Sequence, residues 1–473
     1  STALGNASDL TGFFYSATPE TTSRSAFNFK SNATPVNKTE TSVKKGNVLV
    51  QNLKSSLGKL GVTATYQKVD DTFQGFQTMR DTGKIDQNLI NQLEKQKGTK
   101  RTGFTATLPA GKSTLSFTND KLADSTGAIS TQSFAYSGSS LQMSMKTVDN
   151  SKNFTHYTDE ATKKETGIKR KYSEVKHTSK LGTLAFNQNT IQDYSNTGGG
   201  KIQYNAFAFT TSNMSFSMDT RNIDKTFTRG NDLTDANKAQ LASERGIKRT
   251  NMALNMNLGK GSSLALTQNI IKDNLSNNSG SVNARSMSYS TSGLKLSISN
   301  RTVDNTFSRS GDIVEADKAQ IAAEVGTNRK NTSLSLRTGL KMDKSAAWSS
   351  FSESRLGTTD SHYVRRVFDM TFGKFRTQGL TQDMSSSFTR TSAFNATDRV
   401  ELALAARKQF DLNANTGNIT NVDTAQASNE YGLNRSIYTM QWDDKGYAVT
   451  AALSSINLAS DTANGIQRIA YTL

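Results

Sequence analysis

The chain has 473 residues, only 34% of them hydrophobic, and a mean hydropathy of −0.58, which is low for a thick soluble core. It has no cysteine, which excludes disulfides, thiolate metal sites and covalent haem attachment. The net charge of +17 raises nucleic acid as a partner, but Lys and Arg are dispersed with no basic helix or aromatic-basic module, so no nucleic acid is expected.

A dispersed positive charge suits an acidic protein, anionic lipid or lipopolysaccharide, or an anion-attracting lumen. The chain starts at Ser1 without Met and reads as a mature, processed chain. No apolar stretch reaches the length of a spanning helix. The three prolines (Pro19, Pro35, Pro109) all precede residue 110, which suits a body of paired strands. Residues 1–60 read as an N-terminal hairpin region, with strands between Phe13 and Leu53.

From residue 61 a unit of about 80 residues recurs, with boundaries near 61–140, 141–212, 213–293, 294–374 and 375–473. Asp232 to Gly246 and Asp312 to Gly326 share eight of fifteen positions. Each unit opens on a strand, A, whose apolar residues alternate with polar ones. Examples are Leu141, Met143, Met145; Met214, Phe216, Met218; and Leu294, Leu296, Ile298. A recurrent Asp and Phe close it: Asp70 and Phe73, Asp149 and Phe154, Asp224 and Phe227, Asp304 and Phe307. A short helix follows, carried by Ile85, Leu89, Ile90 and Leu93 in the first copy and by Val400, Leu402, Leu404 and Ala405 in the last. Asp232 and Asp312 stand where N-caps belong, and Gly246 and Gly326 where C′ glycines belong.

Strand B opens on a recurrent Arg (Arg101, Arg170, Arg249, Arg329) and alternates, as in Phe104, Ala106, Leu108 or Met252, Leu254, Met256, Leu258. After a tight turn, strand C repeats an apolar signature ending in Asp: Leu115 to Asp124, Leu184 to Asp193, Leu264 to Asp273. A Gly/Asn/Ser-rich loop leads to strand D, through Tyr204, Ala206, Ala208 or Met287, Tyr289.

The D–A and B–C connections are short, while the A–B and C–D connections are long and share the other end. The expected fold class is therefore all-β: a large up-and-down antiparallel meander of roughly 20–24 strands closed into a barrel. It is built from four-strand repeats, each with a short helix in one long loop. At the C-terminus Ile469, Tyr471 and Leu473 alternate. This strand resembles the assembly signal of bacterial outer-membrane β-barrels, with Leu in place of the usual final Phe. The resemblance implies an integral outer-membrane barrel of the large porin or sleeve type, a pore or a casing around a partner. Its partners would be outer-membrane lipid or lipopolysaccharide, with an acidic periplasmic or surface protein, such as an electron carrier, in the lumen. Against it, the apolar alternations span only three or four positions and there are two Trp, Trp348 and Trp442. The alternative is an extracellular filament, sheath or surface-layer subunit whose apolar face packs on helices or on other subunits.

The Asp and Arg of strands A and B define four candidate pairs: Asp70–Arg101, Asp149–Arg170, Asp224–Arg249 and Asp304–Arg329. Bidentate pairing beneath each helix would make them a structural clamp repeated because the fold repeats. A charged ring at a mouth is the functional reading of the same residues. The recurrent Phe is expected to pack under the helix. His156, His177 and His362 are too scattered for a metal site, Gly198–Gly200 opens no helix and cradles no phosphate, and no calcium motif occurs in the loops. Neither an enzyme, a metal nor a cofactor is expected.

Overall fold

The structure is a computed structural model that describes residues 7–17, 22–29, 46–81, 85–157, 159–195, 199–275, 280–316, 318–337, 344–357, 361–385, 433–444, 447–458 and 461–472. Among them are twenty-three strands. By contacts they fall into two units, Ser1–Ala208 with Arg221–Arg245, and Phe209–Thr220 with Gly246–Leu473.

The first unit begins with β1 (Ala7–Ala17), β2 (Thr22–Phe29), β3 (Asn47–Leu57) and β4 (Leu60–Val69). The chain continues through α1 (Phe76–Asp81) and α2 (Gln87–Lys95) into β5 (Thr99–Ala110), β6 (Ser113–Ala123), β7 (Ala128–Ser137) and β8 (Leu141–Asn150). After α3 (Glu160–Lys164) come β9 (Ile168–Ser179), β10 (Gly182–Asp193), β11 (Lys201–Thr210) and β12 (Met214–Ile223), whose residues up to Thr220 count with the second unit. From β3 to β10 each strand pairs antiparallel with the next, and β1 lies between β2 and β3.

A 3-10 turn (Gly230–Asp232) and α4 (Lys238–Ser243) lead to β13 (Ile247–Gly259), β14 (Ser262–Asp273), β15 (Ser281–Ser290) and β16 (Leu294–Val303). Then follow α5 (Lys318–Ala323), β17 (Thr327–Arg337), β18 (Lys344–Arg355), β19 (His362–Phe372) and β20 (Phe375–Met384). The last strands are β21 (Leu433–Asp444), β22 (Tyr447–Leu458) and β23 (Asp461–Thr472). In the second unit β13 to β23 form one unbroken antiparallel meander.

The expected order A, helix, B, C, D therefore holds. Helices interrupt the strands after β4, β8, β12 and β16, once in every four strands. The fifth helix, expected over Val400, Leu402, Leu404 and Ala405, lies outside the described residues, as does Leu473. Ile469 stands opposite Leu453 and Tyr471 opposite Ala451 in the β22–β23 register.

Two details of the helices differ from expectation. Asp232 closes the 3-10 turn instead of capping an α-helix, and α4 starts only at Lys238, after Asn237. Likewise Asp312 precedes α5 by six positions, because α5 starts at Lys318. The cause is packing: Leu233 and Ile313 are 2% and 1% exposed, and Leu233 has extended backbone that delays the helix. Gly98, Gly167, Gly246 and Gly326 all adopt left-handed φ of 76° to 80°, as C′ glycines do.

The core lies at the long-loop end of the strands. In the second unit Ile247, Ile271, Val282 and Val303 come from strand ends, and Phe307, Ile313 and Ile321 descend on them from the helical loop. The first unit repeats this with Ile168, Ile191, Ile202, Ile223, Phe227, Leu233 and Leu241, and again with Val48, Val50, Val69, Phe73, Ile90 and Leu93. Phe73, Phe154, Phe227 and Phe307 are at most 2% exposed, as expected for residues packed under the helix.

Candidate functional site: two faces and a charged rim

Strand register sorts the side chains onto two faces, since directly opposed residues share a face. In the second unit a lateral apolar row runs Met256, Leu264, Tyr289, Leu296, Leu334, Trp348, Phe368 over seven strands. A parallel row holds Leu254, Leu266, Met287 and Ile298. The next position in the first row is Gly379, and a Cβ there would meet the Phe368 ring at 2.1 Å. The ring thus lies over the bare glycine, and its centroid is 6.2 Å from that of Tyr438, on the strand beyond. In the first unit the corresponding row is Leu108, Leu115, Tyr136, Met143, Val175, Phe186.

The opposite face is polar. Its rows include Ser288, Ser297, Ser333 and Ser349, then Ser286, Ser299 and Asn331. Asn255 and Asn257 share it, as the alternation predicts. The helical loops pack on this polar face, because every strand residue of their cores (Ile247, Ile271, Val282, Val303) has the polar-face parity. Large apolar side chains on the other face stay open: Phe104 is 40% exposed, Phe117 42% and Leu453 42%.

The same parity separates the members of each expected clamp, and this corrects the sequence reading. Asp304 continues the Leu296, Ile298 series, whereas Arg329 stands opposite Arg301 on the polar face. Asp304 Oδ2 accepts the Ser281 N–H at 2.8 Å, tying A to the start of the preceding D strand. Asp224 accepts Lys201 N–H and Asp70 accepts Asn47 N–H in the same way. Asp149 departs from this: it lies opposite Lys169, bonds it at 2.9 Å, and accepts the Tyr194 hydroxyl. Arg101 turns to Asp120 through two bonds at 2.9 and 3.0 Å.

The polar-face arginines instead bind acids of the helical loops. Glu324, fully buried just after α5, accepts Arg301 Nε at 2.7 Å, Arg329 Nη1 at 2.6 Å and Gln320 Nε2 at 2.8 Å. Glu244, its counterpart after α4, accepts Arg221 at 2.5 Å and Gln240 at 3.1 Å. Burial pushes the Glu324 carboxyl up, but Arg301 and Arg329 outweigh it and hold it below the usual carboxylate range. Glu165, after α3, is likewise raised by burial and then brought below its ordinary value by Arg170 and Thr234.

Other arginines reach the loop of the next repeat. Arg170 binds Glu165 at 2.6 Å and also Asp235 at 2.7 Å, a residue in the loop before α4. Arg249 binds Glu315, which occupies the matching place before α5. Arg309 holds Asp312 beside it and reaches Asp273, at the end of strand C, at 3.6 Å. Arg229 repeats this with Asp232 at 2.7 Å and Asp193 at 3.9 Å. In the first unit the α3 and α4 loops are thus latched together, and in the second the α5 loop is latched to the start of β13, giving each unit a charged rim at one end of its polar face. Beneath α5 a cleft of about 310 Å³ opens between this rim and the serine rows, lined by Arg301, Gln320, Arg329, Asn331, Ser299 and Ser286.

Sequence reasoning missed Glu165, Glu244 and Glu324. The available signal was their fixed place two residues before the left-handed glycine. It also missed Gly46, Gly127, Gly200 and Gly280, each standing at one fixed spacing before Phe73, Phe154, Phe227 and Phe307. A Cβ on any of the four would sit 2.3–2.5 Å from the phenylalanine's backbone nitrogen.

His156 lies 2.9 Å from Asp124 and His362 3.3 Å from Asp383. Burial raises the Asp124 carboxyl, but bonds from His156, Thr155 and Thr126 depress it well below the carboxylate range. Among the described residues no three His, Asp or Glu side chains converge on a metal position.

The class these features define is an up-and-down antiparallel β-meander with one apolar and one polar face. No protein-family model matches the chain, and no curated protein matches it. It is similar to two solved structures of Pseudomonas aeruginosa proteins: OccK8 (OprE), at 8% identity over 98% of this chain and 97% of that one with a TM-score of 0.24, and OpdQ, at 9% over 98% and 97% with 0.21. A triple mutant of the Rhodopseudomonas blastica porin matches at 10% identity over 64% of this chain and 89% of that one, with a TM-score of 0.21. At such scores the fold and function rest on the chain's own geometry.

Proposed function

We propose that the chain is an integral outer-membrane β-barrel of bacteria, serving as a pore or as a sleeve around a partner protein, and that it is not an enzyme. The observation that carries this is the bare apolar face. Contiguous exposed apolar patches beyond a few hundred Å² are rare on soluble monomers. Here one apolar row crosses seven consecutive strands, while the helices of the three cores among the described residues pack on the polar face. In a closed barrel the apolar rows meet lipid and the serine rows line the lumen. Closure removes the edges that an open meander of this length would expose.

From β14 to β17 the mid-strand rows of the polar face are Ser, Thr, Asn and Ala, whose short side chains favour a wide passage. Narrowing falls to the latched helical loops at one end. The excess of basic residues suits an acidic occupant, such as a periplasmic electron carrier, if the barrel acts as a sleeve.

Membrane fractionation tests the proposal. The chain is expected in the outer-membrane fraction, needing detergent, and its gel mobility should change on boiling. Conductance steps in a planar bilayer from the chain alone favour the pore; conductance appearing only when a partner is removed favours the sleeve. Release without detergent, as a soluble polymer, would replace the barrel with the extracellular assembly.

A further inference from the structure

The apolar face is not apolar along its full height. On β16 its residues are Leu294, Leu296 and Ile298, and then Asn300 and Thr302; on β13 Met252 to Leu258 give way to Thr250 and Lys248. Four alternating positions cover roughly 20–24 Å along a strand. Between this band and the helical loops the same face carries Lys248, Lys272, Arg285, Lys330 and Arg366, all exposed. None of the five has an acidic partner among the described residues. Lys248 and Lys272 stand directly opposite each other in the β13–β14 register. In the first unit Lys68 also stands opposite Lys100, but there Asp70 lies 2.9 Å from the Lys68 ammonium.

Like charges opposed across a ladder destabilise a sheet unless an anion lies between them. We infer that this belt binds the phosphate groups of an anionic glycolipid in the outer leaflet, of the lipid A type. The inference rests on the membrane reading above and names a lipid partner for its outer surface.

Three features favour lipid over an acidic protein. The belt lies on the lipid face, away from the polar face where a lumen partner would sit. It borders the apolar band directly: Arg285 is two positions from Met287 and Arg366 two from Phe368. It also lies toward the long loops, which such barrels turn outward, so it falls at the headgroup depth of the outer leaflet. Lysine and arginine stems run back along apolar surface while their charges reach the phosphates, and the guanidinium fork of Arg285 matches a phosphate in two bonds.

The test uses the full chain in detergent and in vesicles. Insertion into neutral phosphatidylcholine vesicles is measured first by flotation. Failure to insert removes the membrane reading and this inference with it. Bound lipid is then counted by native mass spectrometry, with bis-phosphorylated lipid A against phosphatidylcholine. The wild type should prefer lipid A. K272Q should weaken that binding roughly fivefold, and the combined K248Q/K272Q/R285Q/K330Q variant by more than about tenfold. K248R/K272R, which keeps the charge, and K295Q, on the polar face, should bind as the wild type does. Heat-modifiable mobility checks that each variant is folded. An inserted protein with no preference for lipid A, or a combined variant that binds it undiminished, overturns the inference. So does capture of soluble polyglutamate by the belt in place of lipid A.

Discussion

Glu324 Oε2 receives the Nε–H of Arg301 at 2.7 Å, and the carboxylate is wholly shielded from water. Its other oxygen takes Arg329, which stands opposite Arg301 on the neighbouring strand. One acid from the helical loop thus neutralises two guanidinium groups that the register forces side by side. Replacing Glu324 with Gln leaves both cations facing each other at a buried site. A loss of about 3–5 kcal/mol in the docking of the loop is expected, because a broken buried pair strands its charge. Protease cleavage between Asp304 and Thr327 measures it, with the Asp312→Asn variant, at a half-exposed side chain, costing at most about 1 kcal/mol.

Acid should release the same loops. The carboxyls of Glu165 and Glu324 are depressed below 4.5, the ordinary value for Glu. A carboxyl with a lowered folded value contributes stability that is present above 4.5 and lost as pH falls through the folded value. Loop protection is therefore expected to be constant from neutral pH down to about 4.5 and to fall below it. Hydrogen exchange of the α5 amides against pH would report it. A loss of protection already at pH 6 would contradict the assignment.

Gly280 is fixed by close approach, since its added Cβ would meet Phe307 N at 2.3 Å. Gly280→Ala should destabilise the loop by roughly 1–3 kcal/mol, because backbone has to shift. Gly311→Ala is the control, with nothing within 4 Å of its Cβ and an expected change within about 0.5 kcal/mol. Equal stability of the two variants in a heat-modifiable mobility assay would show that the turn tolerates displacement.

The α5 loop and the start of β13 should be energetically coupled. Arg249 binds Glu315 across the repeat boundary, and the arginine is only 7% exposed. A double-mutant cycle on Arg249→Ala and Glu315→Ala should give a coupling of roughly 0.5–3 kcal/mol, read as protease protection of the α5 loop. Additive effects would mean that the α5 loop moves independently of β13.

Leu296 and Ser297 should report opposite environments. Their side chains point to opposite faces, Leu296 into the apolar row and Ser297 into the serine row. Spin labels on protein in vesicles should collide with oxygen at position 296 and with a water-soluble nickel chelate at 297. Equal access of the chelate to both would remove the lipid-facing role of Leu296.

The period-two alternation, the recurring unit and the unequal connections establish an antiparallel meander from residues alone. They are local, since alternation places a side chain on a face whatever its neighbour is, and a left-handed Gly326 or Gly246 is needed wherever a helix ends there. The clamp failed on the same ground. In the β16–β17 register Asp304 and Arg329 have opposite parity, so their side chains lie on opposite faces. The sequence holds that information, but only once the register is known, because the position of Arg329 opposite Arg301 depends on the length of chain spent in the helical loop. Tertiary structure alone decided that the helices fold onto the polar face, that Glu324 bridges two arginines, and that Arg170 and Arg249 reach the acids of the next repeat. Except for Glu324 with Arg329, those contacts join residues more than twenty positions apart through burial and geometry, and no local propensity specifies them.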